Sequence, residues 1–149
     1  MKKIVNFAMV MVAILAMGCS KPGYNGTSFL DVTPNNIKGV WRMVSYDNGV
    51  HLTEGSYYYI VFDRAERTFV SYDNLSSMGV YKNSGRYDII TDGAAIIYGM
   101  YDFGRGDWKH RYYVRNLTAD SMQWVAVDDE SIVQVYERSS LPEWIETEE

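Results

Sequence analysis

Short runs rich in Val, Ile, Tyr, Phe and Trp, each seven to nine residues long, recur along this chain with turn formers between most of them. They are "GVWRMVSYD" from Gly39, "SYYYIVFD" from Ser56, "RTFVSYD" from Arg67 and "SGRYDIIT" from Ser84, then "AAIIYGMY" from Ala94, "DWKHRYYVR" from Asp107, "DSMQWVAVD" from Asp120 and "SIVQVYERS" from Ser131. β-branched and aromatic residues suit a pleated, half-buried surface, so each run is read as a strand. Asn48-Gly49, Asp92-Gly93, Gly104-Arg105-Gly106 and Asp128-Asp129-Glu130 supply the breaks. No window shows a helical period before "LPEWIETEE" at the end, which has room for one short turn.

Eight short strands with tight connections predict an all-β, eight-stranded antiparallel meander, because sequential neighbours pair. An open sheet of this kind leaves two unpaired edges, and closing it into a small barrel removes both. The alternative is a two-sheet β-sandwich, which calls for longer crossovers. Only the stretch between Tyr72 and Ser84 is read as long, and it either folds over a barrel mouth or extends the next strand.

Ahead of the strands, Lys2 and Lys3 precede an apolar run from Ile4 to Leu15 broken only by Asn6, too short for a stable membrane span and laid out as an export signal. Leu15-Ala16-Met17-Gly18 before Cys19 resembles a bacterial lipobox, which implies a signal peptide over 1–18 and a lipidated Cys19 as the first mature residue. Lipid chains contribute about 0.8 kcal/mol per buried CH₂, so two or more hold a soluble domain on a membrane. Ser20 in place of Asp resembles an outer-membrane address. Residues 19–36, rich in Pro, Gly, Ser, Thr and Asn, are read as a flexible tether, 37–140 as the barrel and 141–149 as an acidic tail. Cys19 is the sole cysteine, so no intramolecular disulfide supports the fold and the core must do so. Without the leader, twelve basic residues face nineteen acidic ones, a balance that argues against nucleic acid as a partner.

Gly39-x-Trp41 opening the first strand, the eight-strand meander and Arg138 closing the last one together resemble the lipocalin and wider calycin superfamily. More closely, "IKGVWRMVS", "YYIVFD", "RTFVSYD", "SGRYDI", "YVRNLTADSMQWV" and "VQVYERS" resemble lipocalin-like lipoproteins of Bacteroides-type bacteria. The resemblance implies that Trp41 plugs the closed end while Arg138 packs across its ring, a contact worth about 0.5–2 kcal/mol. About eleven residues follow the last strand, too few for the long helix that leans on a typical lipocalin barrel.

Period-two alternation assigns Met43 to the inner face with Trp41, along with Tyr58, Ile60, Phe62, Phe69, Tyr87, Ile89, Tyr112, Val114, Met122 and Trp124. These are candidates either for a pocket lining or for a core that fills the barrel outright, and both outcomes stay open. The last strand is ambiguous, because Ile132, Gln134, Tyr136 and Arg138 alternate with Val133, Val135 and Glu137. In Tyr57-Tyr58-Tyr59 the outer two rings fall on the face opposite Tyr58 and offer an aromatic patch.

Candidates for chemistry are sparse. His51 and His110 have no partner at metal-ligand spacing and are read as surface residues, His110 in mid-strand. Asp128-Asp129-Glu130 lacks the spaced oxygens of a calcium loop. No catalytic residue, metal or cofactor is expected. The sequence thus points to an envelope lipoprotein, anchored through Cys19 and placed at the outer membrane, whose barrel mouth binds a small apolar or amphipathic ligand. The alternative is an accessory protein of an envelope complex, with a filled barrel and an aromatic outer face that contacts protein or glycan.

Overall fold

The computed structural model describes residues 28–47, 50–76 and 79–146; the leader, Cys19 and the first half of the proposed tether lie outside them. Eight antiparallel strands form a closed barrel: β1 (Gly39–Tyr46), β3 (Tyr58–Asp63), β4 (Thr68–Asp73), β5 (Tyr81–Ile90), β6 (Ile96–Tyr101), β7 (Tyr112–Arg115), β8 (Ser121–Ala126) and β9 (Val133–Arg138). A ninth, two-residue strand, β2 (Val50–His51), folds back on the end of β1. Each of the eight barrel strands pairs with the next barrel strand in sequence, and β1 also pairs with β9, Trp41 opposite Arg138 and Met43 opposite Tyr136. That pairing is the seam of the cylinder, and it rules out two separate stacked sheets. A register shift between Met43 and Ser45 bends β1 along the seam.

Gly39 begins the first strand with φ +97°, a conformation that side-chain-bearing residues rarely adopt, and Arg138 packs 3.3 Å from where a Cβ would stand. The long-loop reading between Tyr72 and Ser84 resolves in favour of strand extension, since β5 starts at Tyr81.

The sixth expected strand is shorter than its sequence suggests. Only Tyr112–Arg115 is strand, and β6 pairs with β7 at just two positions, Ile96 with Tyr113 and Ile97 with Tyr112. A long connection, 102–111, therefore joins β6 to β7. Phe103, Gly104 and Gly106 all take positive φ there, which turns the backbone away from the ladder. One isolated bridge, Met100 to Asp107, holds it to β6 through two flanking hydrogen bonds, Trp108 N to Gly99 O at 2.9 Å and Tyr101 N to Gly106 O at 2.8 Å. Trp108 folds back over Gly99, and a Cβ on that glycine would lie 2.4 Å from the indole. His110 accordingly stands in this connection, not in mid-strand.

Inside the barrel, Trp41, Ile60, Phe62, Phe69, Leu117 and Met122 are each no more than 2% exposed and pack as one core. The inner face of β9 is the one carrying Tyr136, which is buried. Outside, the helical turn α2 (Glu143–Glu146) covers part of the tyrosine row: the Trp144 ring lies 4.8 Å from Tyr57, while Ile145 and Tyr59 are buried. At the other end of the chain, the short helix α1 (Pro34–Ile37) starts at Thr33, whose hydroxyl accepts from Asn36 N, and Leu30 N donates to Leu117 O at 2.7 Å. The last part of the stretch read as a tether is thus held against the barrel.

Candidate functional site

The two ends of the barrel differ, and the site follows from that difference. At the end where β1 starts and β9 stops, the Arg138 guanidinium lies 3.8 Å from the centre of the Trp41 ring. The same side chain donates to three backbone carbonyls: Lys38 O through Nη1, Asn36 O through Nη2 at 2.9 Å, and Ala119 O through Nε at 3.2 Å. The Trp41 indole N–H donates to Ile37 O at 2.8 Å. A charged group and a ring, each with its polar atoms engaged, therefore close this end by joining β1, β9, α1 and the turn before β8.

The opposite end is open. A cavity of about 470 Å³ enters the barrel there, lined by Met43, Tyr58, Tyr112 and Trp124 among the inward residues predicted from alternation. Its wall also carries Tyr46, Leu52, Leu75, Tyr101, Trp108, Lys109, Gln134 and Tyr136. Ile60, Phe62, Phe69, Val114 and Met122 lie in the packed core and do not line the mouth, Ile89 packs partly buried against that core, and Tyr87 lines a separate cavity. The filled-core and open-pocket expectations are each true of one half of the molecule.

The mouth is aromatic and hydroxylic. Tyr136 donates its hydroxyl to Gln134 Oε1 at 2.8 Å. Burial pushes the Tyr112 hydroxyl up to about 12 and also raises those of Tyr58 and Tyr136, so all three stay neutral at physiological pH. Ser71 and Asp73, on the inner face of β4 beyond Phe69, are both buried. Burial raises the Asp73 carboxyl above its ordinary value, opposed by the backbone N–H of Leu75, which donates to it at 3.1 Å. Trp124 is 2% exposed, and its indole N–H has no hydrogen-bond partner among the described residues. Most buried polar groups in native folds are partnered, which makes this donor the least satisfied feature of the mouth.

A second cavity, about 500 Å³, lies under the 102–111 connection, where Trp108 and Lys109 line both spaces. Volume does not choose between them; chemistry does. The charges around the second cavity largely answer one another: Arg67 meets Asp88 at 3.2 Å, Arg111 lies 5.0 Å over the Tyr98 ring, and His110 Nδ1 meets Asp128 at 2.8 Å. His110 is correspondingly no solvated surface residue, since its side chain is only 11% exposed beside that carboxylate. The pairing holds Asp128 below the usual carboxylate range. Asp129 turns the chain by accepting from Ser131. Among the described residues, no group of three or more His, Cys, Asp or Glu is placed to hold a metal ion.

A closed meander with one plugged end and one hollow end defines a lipocalin-like barrel. The model of the Lipocalin-like domain family (Lipocalin_4) matches residues 37–124, more than half of the chain, and the chain belongs to that family. It is also similar in fold to a crystal structure of a lipocalin-like protein from Bacteroides uniformis, with a TM-score of 0.51 and 18% identity over 70% of this chain and 99% of that one. No curated protein matches the chain.

Proposed function

We propose that this chain is a non-catalytic envelope lipoprotein, held at the outer membrane by lipid on Cys19, whose barrel mouth binds a small apolar or amphipathic ligand. The observation that carries the binding reading is the 470 Å³ space in the open half, set above a solid floor and walled by rings. Its size falls in the range of about 300–1,000 Å³ usual for small-molecule sites. A non-catalytic role is supported by the mouth's chemistry, because its buried tyrosines stay neutral and the His110–Asp128 pair lines the other cavity. The anchor reading rests on Lys2, Lys3, the apolar run and the position of Cys19. The docking-protein alternative asks for a filled barrel and a bare aromatic outer face; the hollow mouth and the packing of Trp144 on Tyr57 favour the first reading.

Two measurements test it. Cys19→Ser should move the protein from the membrane fraction to the soluble one, and continued retention would overturn the anchor. Native mass spectrometry of that soluble form should show a bound small molecule that leaves on denaturation. A form that is empty in every preparation and whose melting is unmoved by apolar probes would overturn binding at the mouth.

A further inference from the structure

We infer that the mouth is built for a neutral, planar ring compound bearing a hydrogen-bond acceptor oxygen, in preference to a fatty acid; this rests on the mouth being a binding site, as proposed above. Depth is the first reason. Strands of six residues, such as β3, β4 and β8, span roughly 20 Å at about 3.3 Å per residue. Trp41, Phe62, Leu117 and Met122 pack the end nearest Arg138 with no more than 2% exposure, so only part of that length is open. An extended acyl chain reaches about 15 Å, half the thickness of a bilayer core of about 30 Å, and does not fit straight into what remains.

Shape is the second. Rings form most of the wall, and three of them lie at shallow angles to one another. Trp124 is tilted 32° from Tyr112 at 5.2 Å and 32° from Trp108 at 5.5 Å. Flat faces of this kind favour offset stacking with another ring over contact with a flexible tail.

Polarity is the third. The Trp124 N–H is a buried donor without an acceptor among the described residues, and a ligand oxygen is the group that relieves it. The atom is sealed from solvent, so the oxygen reaches it as a flanking ring such as Tyr136, 4.8 Å away, turns aside. Charge points the same way. The one cation among the described residues lining the mouth, Lys109, is exposed at its rim, and the acidic Asp73 is buried on the inner face of β4. An anionic headgroup inside would face that carboxyl with no buried counter-charge.

The test uses the Cys19→Ser chain with three probes: 7-methoxy-4-methylcoumarin, which is neutral, flat and carries a carbonyl; naphthalene, flat without an acceptor; and palmitate. The coumarin should bind at least tenfold more tightly than palmitate. It should shift the indole N–H resonance of Trp124 downfield, assigned through its Overhauser contacts to Tyr112 and Tyr136, while naphthalene leaves that resonance near its free position. Trp124→Phe should weaken the coumarin about fivefold and change naphthalene less than twofold. If that variant fails to fold, the wild-type resonance decides alone. Palmitate binding as tightly as the coumarin, or an indole resonance that the coumarin does not move, would overturn the ligand class and leave the binding site standing. Failure of all three probes would overturn both.

Discussion

The two ends of this barrel are made from the same kinds of side chain and put them to opposite uses. At the Arg138 end a tryptophan is fully buried, its N–H bonded to Ile37 O and its face covered by a guanidinium that itself reaches three carbonyls. At the mouth another tryptophan is almost as buried, yet its N–H has no partner among the described residues, and a carboxyl and several hydroxyls are buried nearby. Satisfied polar groups fix one arrangement, whereas an unsatisfied one leaves free energy to be gained on binding. The closed end holds the cylinder, and the open end retains the unmet hydrogen-bonding capacity that a binding site uses.

That contrast can be broken most forcefully at the closed end. Trp41→Ala removes a fully buried ring, its hydrogen bond and the surface on which Arg138 rests, and should cost about 3–5 kcal/mol in urea unfolding. A loss below about 1 kcal/mol would place the plug elsewhere. A smaller effect is expected at the mouth, where Gly99→Ala sets a methyl 2.4 Å from the Trp108 ring. The ring must move, at about 1–3 kcal/mol, and probe affinity at the mouth should change. Unchanged affinity and stability would show that Trp108 is not a wall of the site. The smallest effect is a pH dependence. Because burial raises the folded-state pKa of Asp73, the proton it binds favours the fold below the ordinary value of 3.8, and that contribution fades as pH rises through the folded value. Asp73→Asn should therefore melt above the wild type at neutral pH, with the gap closing as pH falls from the raised folded value towards 3.8. A gap that does not depend on pH would mean that the buried charge is not its cause.

The closed half was largely legible in the sequence, because its determinants are alternation and turn spacing. Trp41, and Ile60 with Phe62, fall on the inner face where apolar residues at every second position belong. The family resemblance singled out Trp41 and Arg138, and the two stand in contact. The mouth was far less legible. Ser71 and Asp73 alternate with Val70 and Tyr72, so a rule that sends polar residues to solvent places that end of β4 the wrong way round. Gln134, set between Val133 and Val135, left β9 undecided for the same reason. Asp107 to Arg115 has the composition of one strand, but Gly104 and Gly106 in the left-handed region and the stacking of Trp108 on Gly99 outweigh that propensity. Sequence pattern reports burial of apolar surface well; it says little where polar groups are buried and a loop supplies a wall.

Trp108 reaches the cavity from a connection and not from a strand. Replacing those ten residues, 102–111, would reshape the chamber and touch the bridge to β6, the backbone bonds Asp102 N to Ser84 O and Val127 N to Arg111 O, and the His110–Asp128 pair, while leaving the ladder between β1 and β9 untouched. Selectivity in a protein of this design can thus drift between descendants by exchange of one loop, with the seam and its guanidinium lock inherited intact.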